Sequence, residues 1–210
     1  AVELSKTKGQ VGEPKDVVRR RQKVLAEGTA DWKVHFEMAA LAKYLKNKQA
    51  QYYHLTTLNK VYPHNRESQM NLATLLSQDG RWKEAVPVLE RSLSYTRGRE
   101  QQVVETLGWL GTAKLRVGEN EEAVALLESI PRDYSGQIGL SLRAYGNLIK
   151  YAVDLGDRSA VDRYLEELQA YANRLKDTGQ ADSYPLLARR MAQLLTMGGD
   201  KVAAKRWQQG

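Results

Sequence analysis

The stretch GRWKEAVPVLERSL, residues 80–93, decides how the chain folds. Gly80 opens it, the small Ala85 follows after five residues, and the large Leu89 comes four later. Gly118, Ala123 and Leu127 keep the same spacing, and Gly156, Val161 and Leu165 keep it with a larger middle residue. Measured at the turn residues 46, 80, 118, 156 and 199, the intervals are 34, 38, 38 and 43 residues. Between the turns, apolar residues recur at three and four rather than at two, which selects helices over strands. A period in the thirties with one turn inside each period predicts paired helices stacked as a solenoid.

Five hairpins follow, in units at 31–65, 66–100, 103–134, 137–178 and 183–210. The first pairs helices over 32–45 and 48–61 and is closed by Pro63; the second pairs 68–77 with 83–95. The third pairs 103–117 with 121–130, ended by Pro131, and the fourth pairs 138–155 with 159–175. In the fifth, 185–197 precedes a short last helix reaching residue 209. The extra four residues of the middle units lengthen either helices or connections, since 94–100 and 132–136 are polar. Ahead of the repeats, residues 1–12 are polar, contain Gly9 and Gly12, and read as a flexible leader. Over 13–28, Pro14 suits a first helical turn, Gly28 a stop, and Val17, Val18, Val24 and Leu25 form a narrow stripe; these predict a capping helix.

The repeats resemble the tetratricopeptide repeat family, which places large and small residues on a first helix and a small-to-large spacing on the second. Gln69, Leu72, Ala73, Leu76, Ala85 and Leu89 follow that pattern, as do Leu107, Leu110, Gly111, Ala123 and Leu127. The fourth unit keeps Tyr145, Leu148, Ala152 and Leu165 but sets Ile149 and Val161 where small residues are usual. The first keeps Met38, Ala39, Leu55 and Pro63 with Gln51 in place of alanine; the fifth keeps Met191, Ala192, Leu195 and Ala204 with Gln208 where an apolar residue is expected. The resemblance covers about residues 31–209 and implies an all-α, right-handed α–α superhelix of about five hairpins. Small residues let the paired helices approach and large ones fill the groove between them.

Composition agrees with a packed chain: 42% of the 210 residues are hydrophobic and 27% charged. There is no cysteine, hence no disulfide framework and no thiolate chemistry. No run is long and apolar enough for a membrane span. The formal charge of +7 is unevenly spread. Residues 1–30 hold 7 basic and 4 acidic groups, 31–100 hold 11 and 7, and 101–210 hold 14 of each. The sharpest basic cluster is Arg19, Arg20 and Arg21, read either as a landing site for phosphates or an acidic partner or as a solvated helix face.

Catalytic and cofactor signatures are missing from the sequence: no phosphate-binding glycine loop, nucleophile elbow, HExxH helix or calcium loop. No cofactor or metal is therefore expected. His35, His54 and His64 lack metal-ligand spacing and read as packing or surface residues. Glu121 and Glu122 fall in the opening turn of a helix, where negative charge opposes the dipole.

Binding is then the expected work, and the resemblance implies that the first helices of successive units line a concave groove. Its floor is expected to include Phe36, Lys43 and Tyr44, then Met70, Thr74 and Gln78. It continues through Trp109, Thr112 and Arg116, then Arg143, Asn147 and Lys150, and ends at Arg189 and Gln193. Aromatics, amides and cations together suit a peptide or protein segment of acidic character. Gly108 and Gly146, one repeat apart, serve either close helix packing or a flat floor beside Trp109. The leading reading is a non-enzymatic interaction scaffold. Two alternatives stand beside it: a polyanion binder, for RNA or an acidic polysaccharide, using the basic first half, and the solenoid part of a larger cell-envelope or secretion protein, in the periplasm.

Overall fold

The computed structural model describes residues 19, 32–96, 98–183 and 186–209. The expected leader and capping helix lie outside these residues, except that Arg19 is helical and exposed. The rest is all-α. The chain divides into two compact units, residues 1–96 and 97–210. The first holds α1 (Trp32–Tyr44), α2 (Lys48–Val61), α3 (Arg66–Gln78) and α4 (Trp82–Ser94). The second holds α5 (Glu100–Val117), α6 (Asn120–Asp133), α7 (Ile138–Leu155), α8 (Arg158–Asp177), α9 (Leu187–Met197) and α10 (Lys201–Gln209), with a 3-10 turn at Gln180–Ser183.

Local chemistry sets the helix ends. Asn47, Asn65 and Asp157 precede α2, α3 and α8, and each side chain accepts the backbone N–H of the residue three further on, at 2.9–3.0 Å. Asp200 does the same for Ala203 ahead of α10. Such caps satisfy donors that a helix cannot pair internally. The hairpin turns need left-handed backbone, and Gly80, Gly118, Gly156 and Gly199 supply it with φ between 71° and 93°. In the first hairpin Lys46 holds the equivalent place at φ 55°, so the turn that the spacing located at a non-glycine residue is made there at a steric cost. Lys46→Gly should accordingly raise stability by about 1 kcal/mol in urea unfolding.

One expectation is corrected and one open alternative is resolved. Pro131 does not end its helix: α6 runs on to Asp133 with Pro131 inside it and buried. A proline so near the C-terminus loses one helical hydrogen bond, and its apolar ring is packed in return. The extra length of the middle units goes into helices, α5 and α7 having 18 residues against 13 in α1 and α3.

Within each hairpin the two helices pack together, and successive hairpins of a unit stack through α2 on α3, α6 on α7 and α8 on α9. The repeat residues form the seams. Ala73, Ala85, Leu89, Ala123 and Leu127 are each at most 1% exposed. At Gly111 a Cβ would lie 2.7 Å from Leu127 Cγ and 3.3 Å from the Ala123 carbonyl oxygen, so α5 and α6 meet there without room for a methyl group. Of the departures from the pattern, Gln51, Ile149 and Val161 are buried too, while Gln208 is exposed. Polar ties join hairpins one repeat apart: Tyr164 donates to Glu128 at 2.9 Å and Tyr171 to the Ser135 carbonyl at 2.6 Å. In the first unit Arg81, from the stretch that identifies the repeat, donates to Glu84 and to the Tyr52 hydroxyl and lies over the Tyr52 ring.

Candidate functional site

In the first unit Phe36, Lys43 and Tyr44 line one cavity of about 370 Å³ with Ala39, Ala40, Gln51, Leu55, Glu67 and Asn71. Met70, Thr74 and Gln78 do not line it. Residues 67, 71, 74 and 78 follow one three-four stripe along α3, and the cavity sits at its beginning, so Thr74 and Gln78 lie farther along that stripe. Glu67 and Asn71 were the residues missed there. Their signal was the same helical spacing carried one turn back.

In the second unit the first helices touch in succession, α5 on α7 and α7 on α9. Thr112 and Asn147 are joined: the Asn147 amide donates to Thr112 Oγ1 at 2.7 Å, and that hydroxyl donates to the Gly108 carbonyl at 2.7 Å. Arg143 and Arg189 line one cleft of about 300 Å³ with Gly139, Leu186, Arg190 and Gln193. Arg143 also borders an adjoining recess that contains Glu105. Lys150 is engaged by Asp154 at 2.8 Å and Trp109 is half-buried, while Arg116 is exposed. Arg190 was missed because Arg189, its neighbour, fits the expected stripe; in a cleft this narrow both side chains reach the lining.

The paired glycines have different surroundings. Both are buried, so neither forms an open floor. A Cβ on Gly108 would meet only Ile130 Cδ1 at 3.8 Å, whereas one on Gly146 would lie 3.1 Å from Leu194 Cδ2 and 3.4 Å from Arg190 Nη2. Gly146 therefore makes room for α9, and Gly108 has space to spare.

Other polar clusters bear on structure. Lys114 is 5% exposed and reaches Glu119 at 2.6 Å and Glu122 at 2.8 Å, so Glu122 does more than oppose a helix dipole. His35 and His54 are buried together with their Nδ1 atoms 3.2 Å apart. Burial holds the pKa of His35 below the usual value, and burial followed by repulsion from His35 lowers that of His54 to about 4. His64 is exposed and stands edge-on to Tyr95. Among the described residues no group of three or more His, Cys, Asp or Glu could hold a metal ion, and no helix is long and apolar enough to cross a membrane. Arg20 and Arg21 lie outside the described residues.

Hairpins of this period, sealed by small-to-large pairs, define a tetratricopeptide-like helical repeat fold. No protein-family model and no curated protein matches the sequence. Solved structures do. The chain is similar to the Podosopora anserina putative kinesin light chain TPR-like repeats, at TM-score 0.62 and 18% identity over 86% of this chain and 92% of that one. It is similar to PilW, a type IV pilus biogenesis factor, at TM-score 0.60 and 16% identity over 99% and 87%. It is also similar to YrrB, described as a TPR protein with an unusual peptide-binding site, at TM-score 0.54 and 13% identity over 90% and 89%. At these identities the likeness is one of fold.

Proposed function

We propose that this protein is a non-enzymatic scaffold whose first helices hold a segment of another protein. The observation that carries the reading is the row of polar groups presented where α5, α7 and α9 lie side by side. Thr112 and Asn147 fix one another at 2.7 Å, and the Asn147 carbonyl oxygen keeps its capacity to accept a backbone N–H. Half-buried Trp109 and the cleft of Arg143 and Arg189 stand on the same helices. Such a surface is ordered by folding itself, so a bound segment meets preformed partners. The peptide-binding site named for YrrB supports the reading by analogy of fold.

Site-specific photocrosslinking in the native cell tests it. A benzophenone amino acid at position 147 is expected to capture a partner polypeptide, identified by mass spectrometry, while the same group at exposed Glu166 on α8 captures none. Equal capture at both positions, or none at 147, would sink the reading.

A further inference from the structure

The cleft between α7 and α9 has a chemistry of its own. Arg143 stands on α7, Arg189 and Arg190 on α9, and among the residues whose side chains are described no carboxylate pairs with any of the three. Several other cations are matched: Lys48 with Asp79, Arg81 with Glu84, Lys114 with Glu119 and Glu122, Lys150 with Asp154, Arg158 with Asp162, and Arg163 with Glu128. Three guanidiniums around about 300 Å³ repel one another until an anion enters. Arg190 is half-buried and held by a neutral partner, donating to Gln193 Oε1 at 3.3 Å. Its other terminal nitrogen rests against Gly146, where a Cβ would approach to 3.4 Å. The glycine thus leaves room for the Arg190 guanidinium, whose remaining N–H groups can still be offered to a carboxylate.

The surroundings choose among anions. Residues 101–210 hold 14 basic and 14 acidic groups, so this part of the chain carries no net positive charge to draw in a polyanion. Glu105 beside Arg143 and Asp154 on Lys150 bound the positive patch. Leu186, 57% exposed at the rim, offers an apolar contact, which a phosphate chain has no use for. We infer that the α7–α9 cleft recognises an acidic protein segment, with neighbouring Asp or Glu side chains entering among Arg143, Arg189 and Arg190 and an apolar side chain resting on Leu186. This rests on the proposed scaffold function and specifies its ligand.

A displayed library of random twelve-residue peptides, selected on the full chain, is the direct test. Enriched sequences are expected to carry paired acidic residues beside an apolar one. Their affinity should fall about tenfold or more when Glu is replaced by Gln in the peptide, or in the Arg143→Glu, Arg189→Glu double variant. Both arginines are exposed, so the variant should melt as the parent does. Enrichment without acidic residues, or acidic peptides that the double variant still binds, overturns this inference while leaving peptide binding intact. No enrichment at all counts against both readings. If a twelve-nucleotide single-stranded DNA displaces the selected peptides at equal affinity, the cleft is a polyanion site and the inference falls.

Discussion

Replacing Gly111 with valine should destabilise the second unit by about 3 kcal/mol, whereas alanine at Gly108, three residues earlier on the same helix, should stabilise it by about 0.5–1 kcal/mol. The signs differ because the space differs. A Cβ at Gly111 collides with Leu127 Cγ at 2.7 Å and presses the Ala123 carbonyl at 3.3 Å, and neither a branch-point carbon nor a backbone oxygen can yield without moving α6. At Gly108 the nearest atom, Ile130 Cδ1, is 3.8 Å away, an ordinary contact. Alanine there keeps the contact and removes the entropic penalty of a mid-helix glycine. Urea unfolding of both variants, read by circular dichroism, checks the pair. A destabilised Gly108→Ala would mean that α5 and α6 approach more tightly than this geometry allows.

Acid should loosen the first unit. His54 titrates near 4 when folded and near 6.5 when unfolded, because burial and then repulsion from His35 disfavour its charge, and burial lowers His35 as well. Between those values the unfolded chain binds more protons, so stability is fully present above about pH 6.5 and declines as pH falls toward 4. The loss is on the order of 3 kcal/mol by linkage for His54. The facing Nδ1 atoms sharpen the effect: one ring donates and the other accepts at 3.2 Å, and protonating both sets two N–H groups against each other. The Tyr53 ring packs beside both. His54→Gln should flatten the pH dependence of urea midpoints between pH 7 and 4.5. A variant with the slope of the parent would remove these histidines as its source.

What the sequence made legible was whatever repeats. The interval from Gly80 to Ala85 to Leu89 is a local rule, dictated by how two helices of one hairpin meet, and it located the turns even where Lys46 stands in for glycine. It did not reveal how the extra residues are spent, because a polar segment such as 132–136 can begin outside a helix or extend one. The candidate site was legible as a set of faces: helical phase alone put Thr112, Asn147, Arg143 and Arg189 on the sides of their helices expected to line the groove. Partnerships between elements were not. Whether His35 meets His54, or Gly146 meets Arg190, depends on how far one helix slides along the next, which no spacing within a single helix encodes. The proline at 131 misled for a related reason: it is incompatible with helix only where the hydrogen bond it forfeits cannot be spared.

The hydroxyls of Tyr164 and Tyr171 each close a bond to a residue 36 positions earlier, one repeat back. Because both bonds cross from α8 to the preceding hairpin, α8 cannot fray alone: opening it strips Glu128 and the Ser135 carbonyl of their donors at the same moment. Amide protons of α8 and of the C-terminal turns of α6 should thus exchange with deuterium as one cooperative block, while α10, which meets α8 through Lys176 over the Trp207 ring at 3.7 Å rather than through a hydroxyl hydrogen bond, exchanges ahead of them. A linear stack of repeats would in this way open by blocks larger than its own repeat, with two tyrosines setting where one block stops.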